Sequence, residues 1–499
     1  MIMRRTVRFL LNDRQFSLEG FDPTLTLLDW LRNERRLIGT KEGCAEGDCG
    51  ACTVLVGRLR QDGTGKTELR YEAINACIRF VATLDACHIV TVEHLKKASG
   101  GLHPVQQAMV ELHGSQCGFC TPGIVMSLTA LWLGAAAAPS RERIEEALAG
   151  NLCRCTGYGP IISALDRAYE IEASSADSLN VGRAEIARKL AGLADQDIIE
   201  ISEGGRKLFA PATADQLAEL TAAHPDATLV AGATDVGLWI TKMLMRPATV
   251  ITLGRVGELD RIEDKGDHLV IGALVSLSDA RAALGALDPQ IDELIRRFGS
   301  EQVRNAGTVG GNVANGSPIG DSPPVLIALG ASVTLRRGGE RRTVPLEQFF
   351  IAYKKQDRQP GDFVEALIVP KPKPGTLFHV SKISKRFDED ISAVCAAFRL
   401  ERDGAGLTTN AVLAFGGMAA TPKRAAAAEA ALAGRSFNAE AAEAAALALA
   451  SDFKPLDDWR ASARYRSTVA ANLIRRFQAE TATGSVHRVA GILRSDAHA

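Results

Sequence analysis

The first 20 residues alternate apolar with polar side chains, which is the spacing of β-strands. Because successive side chains of a strand point to opposite faces, this pattern predicts a hairpin formed by residues 3–11 and 15–20. A helix is then predicted at 24–32, followed by strands at 53–58 and 69–74. This order of elements fits a small β-grasp-like domain over residues 1–90.

From about residue 104 the apolar spacing changes to that of helices, and Pro122 stands where a helix would begin. A helical domain over residues 91–170 is therefore predicted. Its helices are expected at 104–113, 122–134, 141–150 and 159–170. Residues 171–200 are rich in small and polar side chains and show little strand signal, which predicts a long linker across the surface.

Strand-like and helical segments alternate after residue 200, and they predict a domain over residues 201–375. Its strands are expected at 228–231, 249–253, 268–275 and 331–336, and its helices at 214–223, 235–243, 276–284, 290–298 and 323–329. A Pro-Lys run then precedes a C-terminal α+β domain over residues 376–482, with a polar tail at 483–499. In that domain strands at 378–384, 391–401 and 408–417 are expected before helices at 422–433, 438–450 and 460–479. The predicted fold class is α+β and multidomain.

Composition is that of a soluble globular protein. The 499 residues include 58 basic and 59 acidic side chains, and 46% are hydrophobic. This balance gives no reason to expect nucleic acid or a membrane as partner. The longest apolar helix candidate, residues 124–133, has about half the length of a membrane span, and the N-terminal apolar run is too short for a signal peptide. We therefore expect a cytoplasmic protein.

Eight of the ten cysteines fall into two groups, and their spacing favours metal ligation over disulfides. In the first group Cys44, Cys49 and Cys52 follow the pattern C-x4-C-x2-C, and Cys77 lies further along the chain. This is the plant-type ferredoxin arrangement for a two-iron two-sulfur ([2Fe–2S]) cluster. A zinc site is the alternative, but structural zinc usually takes two closely spaced pairs of ligands.

The second group is Cys117, Cys120, Cys153 and Cys155, with the pattern C-x2-C at the start of one predicted helix and C-x-C after the end of another, near residues 150–151. Helix N-termini carry partial positive charge, which favours an anionic cluster. Zinc is a fair rival for this group alone. The ferredoxin-like loop upstream favours a second [2Fe–2S] cluster. The two cysteines outside both groups, Cys87 and Cys395, are expected to be small buried residues.

Two glycine-containing segments have the composition of phosphate-binding turns. Residues 229–236 lead from a predicted strand through a glycine into a helix, and residues 304–314 are rich in glycine. Small residues let a pyrophosphate approach backbone N–H groups closely. Asn312 and Asp321 could hydrogen-bond the hydroxyl groups of a cofactor that carries such a pyrophosphate. Neither segment has the full dinucleotide fingerprint, and each taken alone is better explained as a tight turn.

The segments around the second cysteine group are long and specific. Residues 114–123 (GSQCGFCTPG) and 150–158 (GNLCRCTGY) resemble the four-helix iron–sulfur domain of the xanthine dehydrogenase and aldehyde oxidase family of molybdenum hydroxylases. All eight cysteines match the family pattern. The resemblance implies a plant-type ferredoxin domain, a four-helix iron–sulfur domain, a two-subdomain FAD-binding domain and a C-terminal α+β domain. It also implies that the second cluster faces a molybdopterin cofactor, with Gln116 at that boundary, and that the first cluster lies nearer the flavin.

Residues 200–370 are similar to the middle domain of the same family, and the two glycine-containing segments match its FAD-binding segments. The resemblance implies FAD contacts from both segments and from residues near them. These are Leu229, Val230, Ala231, Gly232, Ala233, Thr234, Asp235, Val236, Phe298, Thr308, Gly311, Asn312, Asp321 and Lys382. Lys382 begins a charged segment, residues 381–391, which in the family lies beside the flavin and influences whether NAD or oxygen accepts the electrons. A solvated surface loop is the alternative for this segment.

The resemblance implies an oxidoreductase active in purine catabolism, from hypoxanthine to xanthine to urate. Electrons from the purine would leave a molybdenum centre and pass through the second cluster, the first cluster and FAD to NAD. Since no molybdopterin domain precedes Ala499, we expect a separate large subunit, in a heterodimer or a dimer of heterodimers, and no catalytic acid or base in this chain. Alternatives are the same role in a hydroxylase of an aldehyde, nicotinate or another heterocycle, and a stand-alone redox carrier. Fusion of the iron–sulfur and flavin parts favours xanthine dehydrogenase.

Overall fold

A computed structural model describes residues 3–61, 66–97 and 100–485. The N-terminal part consists of β1 (Met3–Arg4), β2 (Val7–Leu11), β3 (Arg14–Leu18), α1 (Leu27–Asp29), a π-helical turn (Trp30–Glu34), β4 (Thr53–Gln61), β5 (Thr67–Asn75) and β6 (His88–Val90), with 3₁₀ turns at Val81–Thr83 and Val92–Leu95. Five of these strands form a sheet in the order β3-β2-β6-β4-β5. Trp30 packs edge to face on Phe9 beneath it, with ring centroids 5.2 Å apart. Residues 62–65, between the strands predicted at 53–58 and 69–74, lie outside the described residues.

The helical part follows. Its helices are α2 (Pro104–Glu111), α3 (Thr121–Gly134), α4 (Arg141–Leu148), α5 (Gly159–Ile171), α6 (Ser178–Val181) and α7 (Arg183–Leu193), with a 3₁₀ turn at Ser174–Ala176. Helix α3 is apolar on most sides because it is buried around its circumference. Helices α6 and α7 occupy the segment predicted as a linker. They form because Leu179, Leu190 and Leu193 are buried against the core of the helical part.

The flavin-type domain contains β7 (Ile198–Glu203), β8 (Arg206–Ala210), α8 (Ala214–Ala223), β9 (Thr228–Val230), α9 (Val236–Thr241), β10 (Thr249–Thr252), β11 (Ile262–Asp264), β12 (His268–Gly272), α10 (Leu277–Gly285), α11 (Pro289–Arg296), α12 (Glu301–Ala306), α13 (Val309–Asn315), α14 (Ser322–Leu329), β13 (Ser332–Arg337), β14 (Glu340–Pro345), α15 (Leu346–Phe349), β15 (Phe350–Ala352), β16 (Lys355–Gln356) and β17 (Phe363–Pro370), with a 3₁₀ turn at Gly257–Leu259. Its strands form two main sheets, ordered β1-β7-β8-β10-β9 and β11-β12-β17-β13-β14. The domain is therefore split into two subdomains.

Two local predictions differ from this structure. The first predicted strand starts at residue 3, but Met3 and Arg4 leave that hairpin and pair in parallel with Ile198 and Ile199. Pairing with β7 gives these two residues backbone hydrogen bonds, whereas a longer hairpin strand would leave its outer end in solvent. The glycine-rich segment 304–314 is largely helical, because Ser300 and Thr308 cap α12 and α13 with their hydroxyl groups.

The C-terminal part packs helices on one face of a four-stranded sheet. Its elements are β18 (Leu377–Ile383), β19 (Val394–Arg402), β20 (Thr408–Gly416), β21 (Lys423–Arg424), α16 (Ala426–Leu432), α17 (Ala439–Asp452) and α18 (Ala463–Thr483). The other face of β19 and β20 joins the flavin-type core through Cys395, Val412 and Ala414. Most of the predicted polar tail, residues 486–499, lies outside the described residues. Within the described ranges we find no helix long and apolar enough to cross a membrane.

Candidate iron–sulfur and flavin sites

The loop before β4 gathers the first cysteine group around backbone N–H donors. The N–H groups of Glu46, Asp48 and Cys49 point at Cys44 Sγ, with nitrogen–sulfur distances of 3.4, 3.3 and 3.3 Å. Hydrogen bonds from the thiols of Cys49 and Cys77, together with these N–H groups, lower the pKa of Cys44. A loop that stabilises a thiolate in this way suits an anionic cluster.

The four thiols of this group form a chain of contacts in the order Cys49, Cys44, Cys77 and Cys52. Cys44 contacts Cys49 and Cys77, and Cys77 in turn contacts Cys52. Within the described ranges no group of three or more His, Cys, Asp or Glu side chains surrounds one ion position. A [2Fe–2S] cluster instead takes four thiolates spread over two irons. The donor set therefore fits such a cluster, with Cys44, Cys49, Cys52 and Cys77 able to hold it.

The second cysteine group lies in two loops, one before α3 and the other before α5. Cys117 contacts Cys155, and Cys120 contacts Cys153. A backbone N–H bond from Phe119, followed by the thiol of Cys155, lowers the pKa of Cys117. The pairwise contacts match those of the first site in kind, so these four thiols are also able to hold a two-iron cluster.

Tyr158 and Thr156 fix the second of these loops. The N–H of Cys153 donates to Tyr158 Oη at 2.7 Å, and Thr156 Oγ1 lies 3.2 Å from Cys153 Sγ. Tyr158 has a left-handed backbone, with φ of 67°, so the loop can turn directly into α5. These contacts orient Cys153 and leave its sulfur able to bind a metal.

Backbone contacts join the two cysteine sites. The N–H of Leu152 donates to the carbonyl of Cys49 with a nitrogen–oxygen distance of 3.0 Å. Lys41 Nζ donates to the carbonyl of Gly118 at 2.8 Å and lies 5.3 Å from the centre of the Phe119 ring. The loops that hold the two groups are therefore neighbours in space.

The first cysteine site also touches the flavin-type domain. A side chain at Gly237, in α9, would place its Cβ 2.8 Å from the carbonyl oxygen of Ile78, the residue after Cys77. Thr241, in the same helix, donates its hydroxyl to the carbonyl of Ala45 at 2.7 Å. The first site thus lies between the flavin-type domain and the second site.

The two glycine-containing segments meet in space, which a shared ligand site requires. A Cβ at Gly232 would stand 1.7 Å from the carbonyl oxygen of Ala306, and one at Gly311 would lie 4.0 Å from Ala231 Cβ. Ala233, with φ of 63°, forms the turn of the first segment between β9 and α9. Only a chain without side chains at the closest points can build this cradle, which suits the narrow diphosphate of FAD.

Polar groups line the second of these segments. Thr308 Oγ1 accepts from the N–H of Gly311 at 3.0 Å. Asn312 Oδ1 accepts from Ser322 Oγ at 2.5 Å. The N–H groups of residues 309–312 bond within the protein, to Val275, Ala273 and Thr308. The amide nitrogen of Asn312, which points away from Ser322, can still donate to a cofactor.

Asp321 and Lys382 form a buried ion pair at the boundary with the C-terminal part. Lys382 Nζ contacts Asp321 Oδ2, and Ser392 Oγ donates to Asp321 Oδ1 at 2.6 Å. Lys382 lies in β18 with a side chain only 3% exposed, whereas Lys385 and Arg386, later in segment 381–391, are exposed. The alternative of a solvated loop therefore does not describe Lys382 itself. Phe298, which follows the end of α11, is partly buried and packs at the edge of the flavin-type core.

Arg297 and Glu389 belong to no motif in the sequence, yet Arg297 bonds the charged segment 381–391 and Glu389 lies partly buried within it. Arg297 donates to the carbonyls of Lys382 and Phe387, each at 3.2 Å, and its guanidinium lies over the Phe387 ring. Burial, and then repulsion from Asp48, raises the pKa of Glu389 to about 8. No local signal could have found these contacts, since their partners are tens to hundreds of residues distant.

Four known protein families match successive parts of the chain. They are a 2Fe-2S iron-sulfur cluster binding domain at residues 9–82, a [2Fe-2S] binding domain at 91–166, an FAD binding domain in molybdopterin dehydrogenase at 202–372 and a CO dehydrogenase flavoprotein C-terminal domain at 379–481. The last two matches cover the region that carries the cradle and the Asp321–Lys382 pair.

Individual relatives agree with these families. Xanthine dehydrogenase of Emericella nidulans is 34% identical over 485 residues, covering 87% of this chain and 35% of that protein. Xanthine dehydrogenase/oxidase of Rattus norvegicus is 32% identical over 458 residues, covering 82% of this chain and 34% of that protein. The chain thus spans about a third of the length of these relatives.

Solved structures show the same family. A carbon monoxide dehydrogenase chain from Hydrogenophaga pseudoflava is 30% identical with a TM-score of 0.51, covering 54% of this chain and 94% of that one. The chain belongs to the xanthine dehydrogenase family of molybdenum hydroxylases. A carbon monoxide dehydrogenase chain from Oligotropha carboxidovorans matches similarly, at 27% identity and a TM-score of 0.50. The predicted α+β multidomain fold, and two [2Fe–2S] clusters and FAD as cofactors, are confirmed.

Proposed function

We propose that this chain is the electron-transfer part of a xanthine dehydrogenase. In this proposal a purine is oxidised at a molybdenum centre in a partner subunit, and the electrons pass through this chain to NAD. The clusters, when bound, supply one-electron transfer. FAD, when bound, links these single-electron steps to the two-electron reduction of NAD. The chain's own residues hold these cofactors in order and orient them, and none acts as acid or base on the purine.

The proposed ligands follow the geometry. The first cluster is held by Cys44, Cys49, Cys52 and Cys77, and the second by Cys117, Cys120, Cys153 and Cys155. FAD lies in the cradle between residues 229–236 and 304–314, with Phe298, Asp321 and Lys382 nearby. Lys382 neutralises the Asp321 carboxylate inside the protein, so Asp321 can accept hydrogen bonds there without an uncompensated charge.

The observation that carries the proposal is the spatial order of the three sites. Ile78, which follows ligand Cys77, packs on α9 of the flavin-type domain, whereas Leu152, which precedes ligand Cys153, is bonded to Cys49. The first cluster would therefore stand between FAD and the second cluster. An electron entering at the second cluster has a connected route through protein to the flavin.

The outer side of the second site favours a partner over a stand-alone carrier. Phe119 is 47% exposed and Leu152 48% exposed, and Gln116, Cys117 and Cys155 are also exposed. Apolar side chains beside exposed thiols leave a redox site open to solvent unless another chain covers it. We infer that a molybdopterin-binding large subunit covers this surface, in a heterodimer or a dimer of heterodimers, in the reducing cytoplasm.

Carbon monoxide dehydrogenase supplies the second candidate. The structural match to that enzyme covers 54% of this chain, which supports the same electron-transfer role behind a different molybdenum site. Xanthine dehydrogenase is favoured because the curated xanthine dehydrogenases match 82–87% of this chain, so they share its iron–sulfur and flavin parts together.

Metal, flavin and activity measurements on the native complex test the proposal. We expect iron and sulfide for two clusters, one FAD per chain, molybdenum in a co-purifying larger chain, and NADH formation on addition of xanthine. Cys77→Ser should remove about half of the iron, whereas Cys87→Ser, a buried cysteine outside both sites, should retain all of it. Zinc in place of iron, or an aldehyde or carbon monoxide oxidised while xanthine is not, would replace the proposal.

A further inference from the structure

Three glycines bring the two cysteine loops and α3 together at the flavin-type domain. A Cβ at Gly50 would stand 2.1 Å from the carbonyl oxygen of Gly150, and a Cβ at Gly123 would stand 2.1 Å from that of Gly50. A Cβ at Gly150 would stand 2.2 Å from Ser300 Cβ. Backbone therefore meets backbone at Gly50, and the Ser300 side chain packs directly on Gly150. We call this place the three-domain junction.

Two buried amides lie in the three-domain junction. Asn151 and Gln302 are each 1% exposed. Asn151 Nδ2 donates to the carbonyl of Gly50 at 3.2 Å and to Thr53 Oγ1 at 3.3 Å. Gln302 Nε2 donates to Asn151 Oδ1 at 2.8 Å and to Ser127 Oγ at 2.9 Å.

The direction of this network follows from its first member. The carbonyl of Gly50 can only accept, so the nitrogen of Asn151 must face it and the oxygen of Asn151 must face Gln302. Gln302 must then present its nitrogen. The amide nitrogen of Gln302 is therefore linked, through the side chain of Asn151, to the carbonyl of Gly50. Gly50 lies between ligands Cys49 and Cys52 of the first site.

Asn151 stands two residues before Cys153 of the second site. Its side chain bonds the loop of the first site, and the N–H of Leu152 bonds the carbonyl of Cys49. Gln302, from α12, holds the free end of the Asn151 side chain. One amide of the flavin-type domain thus acts on the loops of both clusters.

We propose that Gln302 is a positioning residue that, through Asn151, sets the separation and relative orientation of the two clusters and so the rate of electron transfer between them. It touches neither cluster. Burial in a low-dielectric junction makes the loss of its donor costly, because Asn151 Oδ1 is then left buried without a partner. The loops relax to recover that bond elsewhere, and the cluster spacing changes with them.

The variant Gln302→Met tests this in the cofactor-loaded protein, since methionine is unbranched and of similar length but carries no donor. The readouts are the magnetic splitting between the two reduced clusters in electron paramagnetic resonance, and the rate at which photoreduced clusters reduce the flavin. Neither needs a purine or NAD, so failure here is distinguishable from failure of the proposed substrate.

The matched control is Gln290→Met. Gln290 also bridges two parts of the chain, donating to the carbonyl of Phe378 and accepting from the N–H of Val380, each at 3.1 Å. It lies away from the cysteine loops. This control should leave the splitting and the transfer rate unchanged.

In Gln302→Met we expect full iron and FAD content, an altered splitting and a transfer rate lowered about tenfold, the size of effect that loss of an outer-shell partner has at metal sites. Full cofactor content with unchanged splitting and rate would overturn the proposal. If Gln302→Met does not retain its clusters, the same splitting and transfer rate are measured in Gln302→Asn. Asparagine keeps an amide, but its side chain is one methylene shorter and does not reach Asn151. Loss of cofactors in both variants would show a role in assembly alone and would also overturn it.

Discussion

Gly232 is the residue at which the two glycine-containing segments come closest. Its missing side chain would overlap the carbonyl oxygen of Ala306 at 1.7 Å. Backbone cannot move aside as a flexible side chain can, so any larger residue here must part the segments that form the FAD cradle.

We predict that Gly232→Ala lowers FAD content at least about tenfold, because the cradle opens at its narrowest point, while iron content stays unchanged. Flavin absorbance relative to iron measures this. Gly257→Ala is the matched control, since a Cβ there meets open space in the same domain. Equal FAD content in both variants would contradict the proposed cradle.

Glu389 makes stability depend on pH. Burial and then Asp48 raise the pKa of its carboxyl from 4.5 to about 8, while Ser300 and Arg386 oppose the shift. The folded protein therefore holds this proton more tightly than the unfolded chain. The associated stability is complete below about pH 4.5 and is lost as pH rises through about 8.

We predict that thermal stability of the native protein falls between pH 6 and pH 9 by roughly 1–2 kcal/mol more than in Glu389→Gln, after allowance for solvent screening. Glutamine keeps the shape but cannot ionise. Thermal unfolding followed by flavin fluorescence measures the difference. Glu340→Gln, whose side chain is 82% exposed in the wild type, should leave the pH dependence as it is.

At the scale of elements, α7 shows how tertiary contacts organise a segment with weak local signals. Its residues are mostly charged or small, yet Leu190 is fully buried and Leu193 nearly so, both against the helical part. Arg183, at its start, donates to the carbonyl of Leu69 in β5 at 2.6 Å. The helix thus connects the first two domains as well as leading to the third.

We predict that Leu190→Ala lowers the free energy of unfolding of the helical part by about 2–4 kcal/mol, the cost of a large-to-small change in a packed core. Hydrogen exchange of α3 and α5 amides would report it. Leu447→Ala, at a position 66% exposed, should change stability by less than about 0.5 kcal/mol. Similar effects from the two variants would exclude a structural role for α7.

At the scale of the whole molecule, the proposed electron route starts at an exposed surface and leads to the FAD cradle. The second cysteine site lies at the exposed end, beside Phe119 and Leu152, and the FAD cradle lies at the other end. This polarity predicts that the electron donor docks where Phe119 is exposed.

We predict that Phe119→Ala weakens binding of the large subunit roughly tenfold, as expected for an aromatic side chain near the centre of an interface. Iron and FAD content should be retained, because the ring is half exposed and ligates nothing. Co-purification at graded dilution measures the change, with Leu447→Ala as control. Undiminished association would move the docking surface elsewhere.

The sequence determined the chemistry of both cysteine sites. Three thiolates in C-x4-C-x2-C spacing form one loop, and the ligand-bearing GSQCGFCTPG and GNLCRCTGY segments are equally local. Local geometry leaves few alternatives for the first loop, so its spacing favoured a [2Fe–2S] cluster over zinc, and the resemblance of the two longer segments indicated the family. The order of strands and helices in the C-terminal part was likewise visible, because each has a strong period of its own.

Only the tertiary structure decided how those sites meet. Gln302 and Asn151 are 151 residues apart and Lys382 and Asp321 are 61 apart, and nothing in either neighbourhood announces the other. The same holds for Met3 and Arg4, which leave the predicted hairpin to pair with β7. Spacing along the chain fixes which atoms a loop can offer, but the packing of distant segments determines the partner that each buried polar group finds.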